Sequence, residues 1–354
     1  MSPRSARVRH TWRALVVLCG SALVLAGCNS TTSAVARVTG VPSISISVPL
    51  HKVSCTSSNS CIALGTTGSE LVPTSVGEYR QSSGAWSSLN VPSAPSSLIT
   101  STSCWKTGCL IGGIQPSGTL LWAYNASSQS VSVQGQPAPS EGVRALDCFA
   151  TSSCAAIVNV TSTNGSANTS ASLSAISFTS DGGVTWSTPT PLAWTLAETV
   201  KDVSCSDALT CMVSAVSGAG TLDVEVTHDA GVTWTARTTP STWLGLGSLH
   251  CTGTSCVGLA DTTTTSLVVR TSTFGRLWRT SALPVKANAL ACTTLKSCVV
   301  VGENTSGGAW LATLSGSSYV VHPLRYVPSP LVDVACGSAT CAAIGVSTLL
   351  TLRP

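Results

Sequence analysis

Short apolar runs recur along the chain, and stretches rich in Ser, Thr and Gly separate them. Many of the runs flank a pair of cysteines. In DVSCSDALTC (residues 202–211), apolar residues stand just outside Cys205 and Cys211, and the loop between them is polar. Apolar positions on either side of a short polar loop are typical of the two strands of a β-hairpin. The pattern therefore predicts an all-β chain built from hairpins.

The cysteine hairpins form an internal repeat. Two of the 16 cysteines, Cys19 and Cys28, lie near the N-terminus, and the others form pairs separated by four or five residues. The first members of the pairs recur every 41 to 57 residues, a period typical of solenoids and propellers. The seven pairs are Cys55 with Cys61, Cys104 with Cys109, Cys148 with Cys154, Cys205 with Cys211, Cys251 with Cys256, Cys292 with Cys298, and Cys336 with Cys341.

Disulfides explain these pairs better than two alternatives do. A structural zinc site combines two cysteine pairs, and pairs in separate repeat units would lie far apart. Redox catalysis usually uses a C-x-x-C motif, which none of the pairs matches. An even number of cysteines in an exported chain favours disulfides. Each bond would staple one hairpin and stabilise it by about 2 kcal/mol on the chain-entropy model.

Each repeat unit contains four strand candidates, which we name A to D in chain order. The cysteine hairpin joins A to B, a loop joins B to C, and a turn joins C to D. The seventh unit ends after strand C, at STLLTLRP, and VPSISISVPL (residues 41–50) can supply its missing strand from the other end of the chain. That pairing would close a ring and remove the exposed sheet edges. The sequence predicts a seven-bladed β-propeller with four-stranded antiparallel blades, one disulfide hairpin per blade, closed by an N-terminal strand.

The first 27 residues have the pattern of an export signal. Four arginines and no acid precede an apolar run at residues 14–26. This run of 13 residues is of signal-peptide length and is too short to span a bilayer core of about 30 Å. It ends in LAGC, which resembles the lipobox of bacterial lipoproteins; the resemblance implies that Cys28 is acylated and becomes the new N-terminus. The alternative is an ordinary secretory leader.

Three segments follow from this interpretation. We expect residues 1–27 to be a lipoprotein signal peptide, residues 28–40 a Ser/Thr-rich tether, and residues 41–354 the propeller. The protein would be anchored by lipid on the outer side of the bacterial cytoplasmic membrane or in the cell envelope, and the lipid would be its only contact with the membrane.

Loss of the leader changes the charge of the chain. The formal net charge is +4, and the leader carries four arginines, so the remaining chain has 14 basic and 14 acidic residues. Nucleic-acid binding needs an excess of Lys and Arg on one face. We therefore expect no nucleic-acid partner.

Two C–D turns share a second motif. TSDGGVTW (residues 179–186) and THDAGVTW (residues 227–234) resemble the Asp-box of bacterial neuraminidase repeats, and STFGRLW (residues 272–278) matches it in part. The resemblance implies a structural turn: the carboxylate accepts backbone N–H bonds, the glycine allows a positive φ, and the tryptophan opens strand D. The residues in these roles are Asp181, Gly183, Trp186, Asp229, Gly231 and Trp234.

The same resemblance raises the possibility of a sialidase-like glycoside hydrolase. Such an enzyme needs an arginine cluster, a tyrosine nucleophile with its acidic partner, and an acid/base residue. The chain has no Arg-Ile-Pro motif, no G-x-S-x-G motif and no histidines at metal-ligand spacing. The sequence therefore predicts no catalytic residue, no metal and no cofactor.

A closer resemblance is to non-catalytic propellers with degenerate Asp-boxes, of the photosystem II stability/assembly-factor type. It covers residues 41–354 and rests on the repeats rather than on a functional motif. It implies a monomeric, extracytoplasmic protein-interaction or assembly module with an unidentified protein partner. The alternative is a carbohydrate-binding lipoprotein whose partner is an envelope glycan.

A set of basic residues marks a candidate binding face. The D–A loops of a propeller lead to the central channel, and here they are expected to carry Lys52, Arg144, Lys201, Lys286 and Arg325. These residues, which we call the basic set, could surround the channel mouth and receive an anionic group. The alternative is scattered solvated charges, partly neutralised by Glu141, Glu198 and Asp202. Trp194 and Trp243 fall in the same loops, as contact residues or as packing between blades.

Overall fold

The computed structural model describes residues 44–45, 49–69, 72–81, 85–92, 96–162, 171–193, 199–324, 327, 329–346 and 348–352. All described residues lie within one compact unit, Ala36–Pro354. Cys28 and the expected leader and tether lie outside the described residues. Within the described ranges, no helix has the length and apolar character needed to cross a bilayer.

Seven antiparallel sheets of four strands each make up the described part of the chain, one sheet per blade. The strands of blade 1 are β2 (Leu50–Cys55), β3 (Cys61–Ser69), β4 (Val72–Arg80) and β5 (Trp86–Leu89). Those of blade 2 are β6 (Leu98–Cys104), β7 (Gly108–Gln115), β8 (Gly118–Asn125) and β9 (Ser130–Val133). Those of blade 3 are β10 (Gly142–Ala150), β11 (Ser153–Ser162), β12 (Ala171–Thr179) and β13 (Thr190–Pro191).

The remaining blades repeat this order. Blade 4 contains β14 (Thr199–Cys205), β15 (Cys211–Val216), β16 (Leu222–Thr227) and β17 (Thr235–Ala236). Blade 5 contains β18 (Gly245–Thr252), β19 (Ser255–Asp261), β20 (Ser266–Thr271) and β21 (Arg279–Ala282). Blade 6 contains β22 (Ala287–Thr294), β23 (Ser297–Glu303), β24 (Ala309–Ser315) and β25 (Ser318–Val321). Blade 7 contains β26 (Leu331–Cys336), β27 (Cys341–Gly345), β28 (Thr348–Leu352) and the N-terminal strand β1 (Ile44–Ser45).

The seven-bladed propeller predicted from the sequence is confirmed, including its closure. In blade 7 the strand order is β1-β28-β27-β26, so the outermost strand comes from the N-terminal end. Ile44 lies opposite Leu349 and Ser45 opposite Thr348. One blade is therefore assembled from both ends of the described chain, which closes the ring.

A disulfide in each blade joins strand A to strand B. The two cysteines of every pair are directly opposite each other in the strand register. Each bond therefore cross-links one hairpin and none joins two blades, which is the arrangement of structural staples. All seven expected bonds are present: Cys55 to Cys61, Cys104 to Cys109, Cys148 to Cys154, Cys205 to Cys211, Cys251 to Cys256, Cys292 to Cys298, and Cys336 to Cys341.

Not every hairpin strand begins at its cysteine. In blades 1, 4 and 7 the second cysteine is the first residue of strand B, as the sequence pattern suggests. In blades 2, 3, 5 and 6 strand B begins one residue earlier, so that Cys109, Cys154, Cys256 and Cys298 are its second residues. In blades 3, 5 and 6 the pairing also extends past the disulfide on the turn side, which leaves a tighter turn between the two strands.

The hydrophobic core lies between the blades. Each of seven clusters of buried apolar side chains combines residues of two neighbouring blades. Met212 of blade 4 packs with Leu246 of blade 5, and Leu50 of blade 1 packs with Ile344 of blade 7. Because a blade is covered on both sides, its central strands are buried throughout rather than on alternate residues. Full burial of one such side chain contributes about 1.5–3 kcal/mol.

The strand register shows which turns share an end of the propeller. Cys154 lies opposite Thr179, and Cys211 lies opposite Thr227. Both threonines begin C–D turns, so these turns lie at the same end as the cysteine hairpins. We call this end the stapled face, and we call the opposite end, where the inner strands begin, the mouth face.

Candidate functional site

The inner strand of every blade has an irregularity in its pairing. In six blades the residue of strand A that stands four positions before the first cysteine has no partner on strand B. In blades 3 and 6 the residue directly after that cysteine, Phe149 or Thr293, is also skipped in the register. In blade 5 the irregularity covers Ser248 and Leu249. A bulge of this kind bends a strand and re-aims a side chain. The six bulge residues are His51, Thr100, Arg144, Lys201, Asn288 and Val332.

Polar side chains after the bulge connect neighbouring blades. Strand A is the inner edge of its sheet, so N–H groups on its free side have no strand partner. A side chain three positions before the first cysteine accepts such an N–H from the next blade, and we call this contact a clasp. The clasps are Asp333 to Val53 N (2.9 Å), Ser101 to Leu146 N (3.0 Å), Asp202 to Leu249 N (2.6 Å) and Ser248 to Leu290 N (3.1 Å).

A second layer of clasps uses the residue just before the cysteine. Here the acceptor binds the N–H of the first cysteine in the next blade. The two positions differ by two residues, so they project from the same side of the strand. The contacts are Ser103 to Cys148 N (2.9 Å), Asp147 to Cys205 N (2.6 Å) and Ser204 to Cys251 N (3.0 Å).

The three clasp aspartates are weaker acids than an aspartate in water. Burial in the channel wall raises the pKa of Asp147 to about 7 and that of Asp202 to about 6, and it also raises the pKa of Asp333. The N–H donors that each carboxylate accepts act in the opposite direction, and so does the charge of Lys52 on Asp202 and Asp333. Desolvation of the charged form therefore raises the pKa of each aspartate by more than the clasp hydrogen bonds lower it.

We expect the free energy of unfolding to fall as the pH rises from about 4 to about 7. Above about pH 4 the clasp carboxyl groups lose their protons in the unfolded chain, whereas folded Asp202 keeps its proton up to about pH 6 and folded Asp147 up to about pH 7. Unfolding therefore releases protons, and higher pH favours the unfolded state. The decrease should amount to several kcal/mol, because each unit by which folding raises a pKa is worth about 1.4 kcal/mol, and urea denaturation across the range measures it.

Variants test the origin of this slope. Asp202→Asn should reduce the slope, whereas Glu303→Gln, which removes an exposed acid at the end of β23, should not. Asp181 contributes in a different range: hydrogen bonds from Thr185 lower its pKa to about 2, so its contribution is lost only below about pH 4. A stability that stays constant or rises between pH 4 and pH 7 would contradict the argument.

A channel of about 740 Å³ runs between the seven inner strands. Four of the basic set, Lys52, Arg144, Lys201 and Lys286, line it. They precede the first cysteines of blades 1, 3, 4 and 6 by three to six residues, so they lie toward the mouth face. Arg144, Lys201 and Lys286 are exposed and Lys52 is half-buried. Arg325 lies outside the described residues.

The charges in the channel are layered along its axis. The acids Asp147, Asp202 and Asp333 lie deeper, at the clasps, where their carboxylates accept backbone N–H bonds. Toward the mouth face, one acid, Asp261, lines the channel beside the exposed cations, at the end of β19. Among the residues that line the channel at this level, three exposed cations face one acid. The exposed acids Glu141 and Glu303 lie at the same end, outside the lining.

The positions of these residues correct two sequence-based expectations. Lys52, Arg144 and Lys201 lie within inner strands rather than in D–A loops, because pairing with strand B resumes beyond each bulge; Lys286 directly precedes β22. Asp202 was expected to neutralise the basic set from a loop, but it is a clasp residue of β14.

The structure describes one of the two tryptophans that were expected in the D–A loops. Trp243 is only 3% exposed and its ring centroid lies 5.5 Å from that of Trp278, so it packs between blades 4 and 5. Trp194 and Glu198 lie outside the described residues, as does most of the long loop of blade 3; β11 continues to Ser162 and β12 begins at Ala171.

The C–D turns of blades 3 and 4 have matching hydrogen bonds. The Asp181 carboxylate accepts the Thr185 N–H (2.9 Å) and the hydroxyls of Thr185 (2.6 Å) and Thr179 (2.8 Å). The Asp229 carboxylate accepts the Thr233 N–H and hydroxyl, at 2.8 and 2.6 Å. Both carboxylates are therefore engaged in hydrogen bonds within their own turns.

Glycine and tryptophan complete each of these turns. Gly231 has a φ of 85°, and a Cβ there would lie 2.5 Å from Ile176 of the preceding blade. Gly183 has a φ of 94° and meets Leu110 in the same way, at 2.8 Å. Trp234 directly precedes β17, but Trp186 lies four residues before β13 and donates its indole N–H to the Gly183 carbonyl (3.1 Å). The turns therefore dock each blade on the one before.

Among the described residues, no group of three or more His, Cys, Asp or Glu side chains could hold a metal ion. The channel combines cations at its mouth with hydrogen-bonded acids below. This arrangement is suited to binding an anionic group at the mouth face.

Comparisons with known proteins place the chain by its fold. No protein-family model and no curated protein sequence matches it. Among solved structures, YCF48 bound to D1 peptide shares 15% identity over 89% of this chain and 97% of that chain, with a TM-score of 0.62. YCF48 from Cyanidioschyzon merolae shares 12% identity over 90% of this chain and 98% of that chain, with a TM-score of 0.56.

An enzyme shares the same architecture. A catalytically inactive virginiamycin B lyase from Staphylococcus aureus with quinupristin shares 9% identity over 89% of this chain and 99% of that chain, with a TM-score of 0.59. At such identities the likeness shows the fold alone, and this fold carries both binding and catalytic functions. The neighbours agree with the expected β-propeller architecture.

Proposed function

We propose that the chain is a non-catalytic protein-interaction or assembly module that receives an anionic segment of a partner protein at the mouth face. The observation that carries the proposal is the convergence of Lys52, Arg144, Lys201 and Lys286 on one channel from four different blades. Four acids line the same channel, but three of them, Asp147, Asp202 and Asp333, are engaged in clasps, which leaves Asp261 as the other lining acid near the exposed cations. The channel is large enough for a side chain or a chain terminus, at about 740 Å³.

The state of the acids supports a binding role over a catalytic one. A hydrolase needs a carboxyl group free to exchange protons with a substrate. In the channel, Asp147, Asp202 and Asp333 each accept the N–H of a neighbouring blade, at 2.6, 2.6 and 2.9 Å. These carboxyl groups hold the ring together, which favours a structural assignment for them.

The solved neighbours support the idea that a propeller of this architecture can bind a peptide. YCF48 is described as bound to a peptide, so a propeller of this architecture can bind one. For the present chain, peptide binding at the mouth face is our proposal and rests on its own basic residues. The biological process in which the partner takes part is not implied by the fold.

We also propose that the protein is exported, and anchored through Cys28. The presence of a disulfide in every blade supports an oxidising compartment. Metabolic labelling with a fatty acid should label the wild-type protein and should not label Cys28→Ala, which we expect to be released or to remain an unprocessed precursor. Wild-type protein without lipid would leave an ordinary secretory leader as the explanation.

The binding proposal is tested by removing the basic set. The variant changes Lys52, Arg144, Lys201, Lys286 and Arg325 together to Ser, and partners are captured from solubilised envelope membranes and quantified by mass spectrometry. We expect capture of the partner to fall at least tenfold and the residual binding to depend less on salt. The matched control, Asp207→Ser, changes an exposed charge in the A–B loop of blade 4 on the stapled face and should leave capture intact.

Two results would overturn the proposal. If Asp207→Ser abolishes capture while the variant of the basic set binds normally, the working face is the stapled one. If no protein is captured and a glycan array shows binding that the same variant loses, the mouth face binds an envelope glycan instead.

A further inference from the structure

The C–D turn of blade 5 differs from those of blades 3 and 4 at its outward positions. Thr273 replaces the aspartate, and its hydroxyl accepts the Leu277 N–H (2.9 Å) just as Asp181 and Asp229 accept the N–H of Thr185 and Thr233. The Thr271 hydroxyl accepts the Gly275 N–H (3.0 Å), as in the other turns. The backbone of the turn is therefore preserved without a negative charge.

The loss of the carboxylate releases the outward positions from a structural role. Thr185 and Thr233 bind the carboxylate with their hydroxyls, but the equivalent residue of blade 5 is Leu277, whose side chain is 72% exposed. The preceding position, a valine in blades 3 and 4, is the exposed Arg276. This turn therefore presents a leucine and an arginine to solvent on the stapled face.

More cations surround this turn. Arg237 donates to the Phe274 carbonyl of the turn (2.9 Å), and burial together with the charge of Arg276 lowers its pKa, so the two guanidinium groups are close. Arg279 begins β21 directly after the turn and is exposed. Val232, at the tip of the neighbouring turn in blade 4, is 73% exposed.

The same surface continues to blade 6. Arg270 donates to the carbonyls of Leu295 and Gly316, which ties blade 5 to the loops of blade 6 beside the exposed Lys296. Between residues 262 and 302 the chain has five cations and no acid. We call Val232, Arg237, Arg276, Leu277, Arg279 and Lys296 the blade 5 patch.

We propose that the blade 5 patch docks on an anionic phospholipid membrane. Exposed apolar side chains raised on turn tips and flanked by cations fit a soft, planar, negatively charged surface, into which the tips insert while the cations contact phosphates. A planar membrane can take up both exposed tips, Val232 and Leu277, without a matching cavity for each, whereas a folded protein partner would need one. The patch lies at the opposite end from the mouth face, so the proposal is independent of the partner site. It departs from the sequence-based expectation that the acyl chain is the only contact with the membrane.

Vesicle binding tests this proposal. The protein used is residues 29–354, which lacks Cys28 and contains every described strand and the ring closure. It is sedimented with vesicles of phosphatidylcholine alone or mixed with an equal amount of phosphatidylglycerol. We expect binding to the mixed vesicles only, weakened by salt, and about fivefold weaker for each arginine removed in R276S and in R276S combined with R279S.

Two controls separate the patch from general charge and from unfolding. Lys106→Ser removes an exposed cation from another sector of the stapled face and should bind as wild type, and the melting temperature of each variant reports whether it is folded. Leu277→Ser should weaken binding without changing its salt dependence. All variants should keep the wild-type melting temperature.

The outcomes decide the proposal. Equal binding to both vesicle types, or a double arginine variant that binds the mixed vesicles as tightly as Lys106→Ser, would overturn it. Binding of polyglutamate, lost in the arginine variants, with no binding to the mixed vesicles would instead identify an acidic polypeptide as the occupant and would also overturn it.

Discussion

Reduction of the seven disulfides should unfold the protein at room temperature. Each bond closes a hairpin with a sequence separation of five or six residues, and on the chain-entropy model such a loop contributes about 2 kcal/mol. The bonds lie in different blades, so their contributions should add. Their sum, about 14 kcal/mol, is comparable to the whole stability of a typical domain.

Circular dichroism and tryptophan fluorescence with and without dithiothreitol measure this effect. The single pair variant Cys205→Ala with Cys211→Ala should lose only about 2 kcal/mol, because one short loop is released. Mass mapping of the untreated protein should recover the seven intrablade bonds. A fully reduced protein with an unchanged melting temperature would show that the interblade core suffices and that the staples contribute little.

Deletion of residues 41–50 should have the second-largest effect on stability. The deletion removes β1, which leaves β28 as an exposed edge, and it removes Leu50, which is 1% exposed in the cluster between blades 7 and 1. Loss of one fully buried leucine together with two cross-strand pairs corresponds to about 4 kcal/mol.

The matched control is deletion of residues 29–38, which removes the same number of residues from the expected tether. We expect this variant to unfold at the wild-type urea concentration. The comparison separates ring closure from a general effect of shortening the chain. If the two deletions unfold at the same midpoint, the N-terminal strand does not hold the ring.

The architecture could be predicted because its determinants are local and periodic. Each cysteine pair marks its own hairpin, and each pair recurs once per blade, so the number of blades could be counted along the sequence. Closure followed from an incomplete last unit and a spare strand at the other end. The interblade core needed no separate prediction, since the apolar strands have only neighbouring blades to pack against.

The clasps could not be predicted from one unit because their hydrogen bonds cross to the next blade. Asp202 and Leu249 are 47 residues apart, and the acceptor binds an N–H group that any residue except proline could provide. A positional signal was present: Ser101, Asp202, Ser248 and Asp333 all stand three residues before a first cysteine. The bulges had no comparable signal, because His51, Thr100, Arg144 and Val332 share no chemistry.

The C–D turn of blade 5 shows a second limit of prediction from the sequence. From the sequence, the replacement of aspartate by Thr273 indicated a degraded motif. In the structure the turn keeps its backbone geometry, and the substitution instead changes what the turn exposes, namely Arg276 and Leu277. A sequence motif identifies the residues that maintain the geometry of a turn. The exposed side chains, which the motif does not specify, determine what the turn can contact.

The central claim is that a protein partner contacts the mouth face, and photo-crosslinking tests it most directly. A photoreactive amino acid is placed at Lys286, which lines the channel mouth, or at Asp207, on the stapled face. Both positions are exposed. Replacement of Asp207 removes the hydrogen bonds that its carboxylate accepts from Leu209 N and Thr210 N, but the disulfide of the same hairpin still closes the loop. After irradiation in solubilised envelope membranes, we expect a specific protein adduct from position 286 and none from position 207. An adduct formed from position 207 and absent from position 286 would contradict the account.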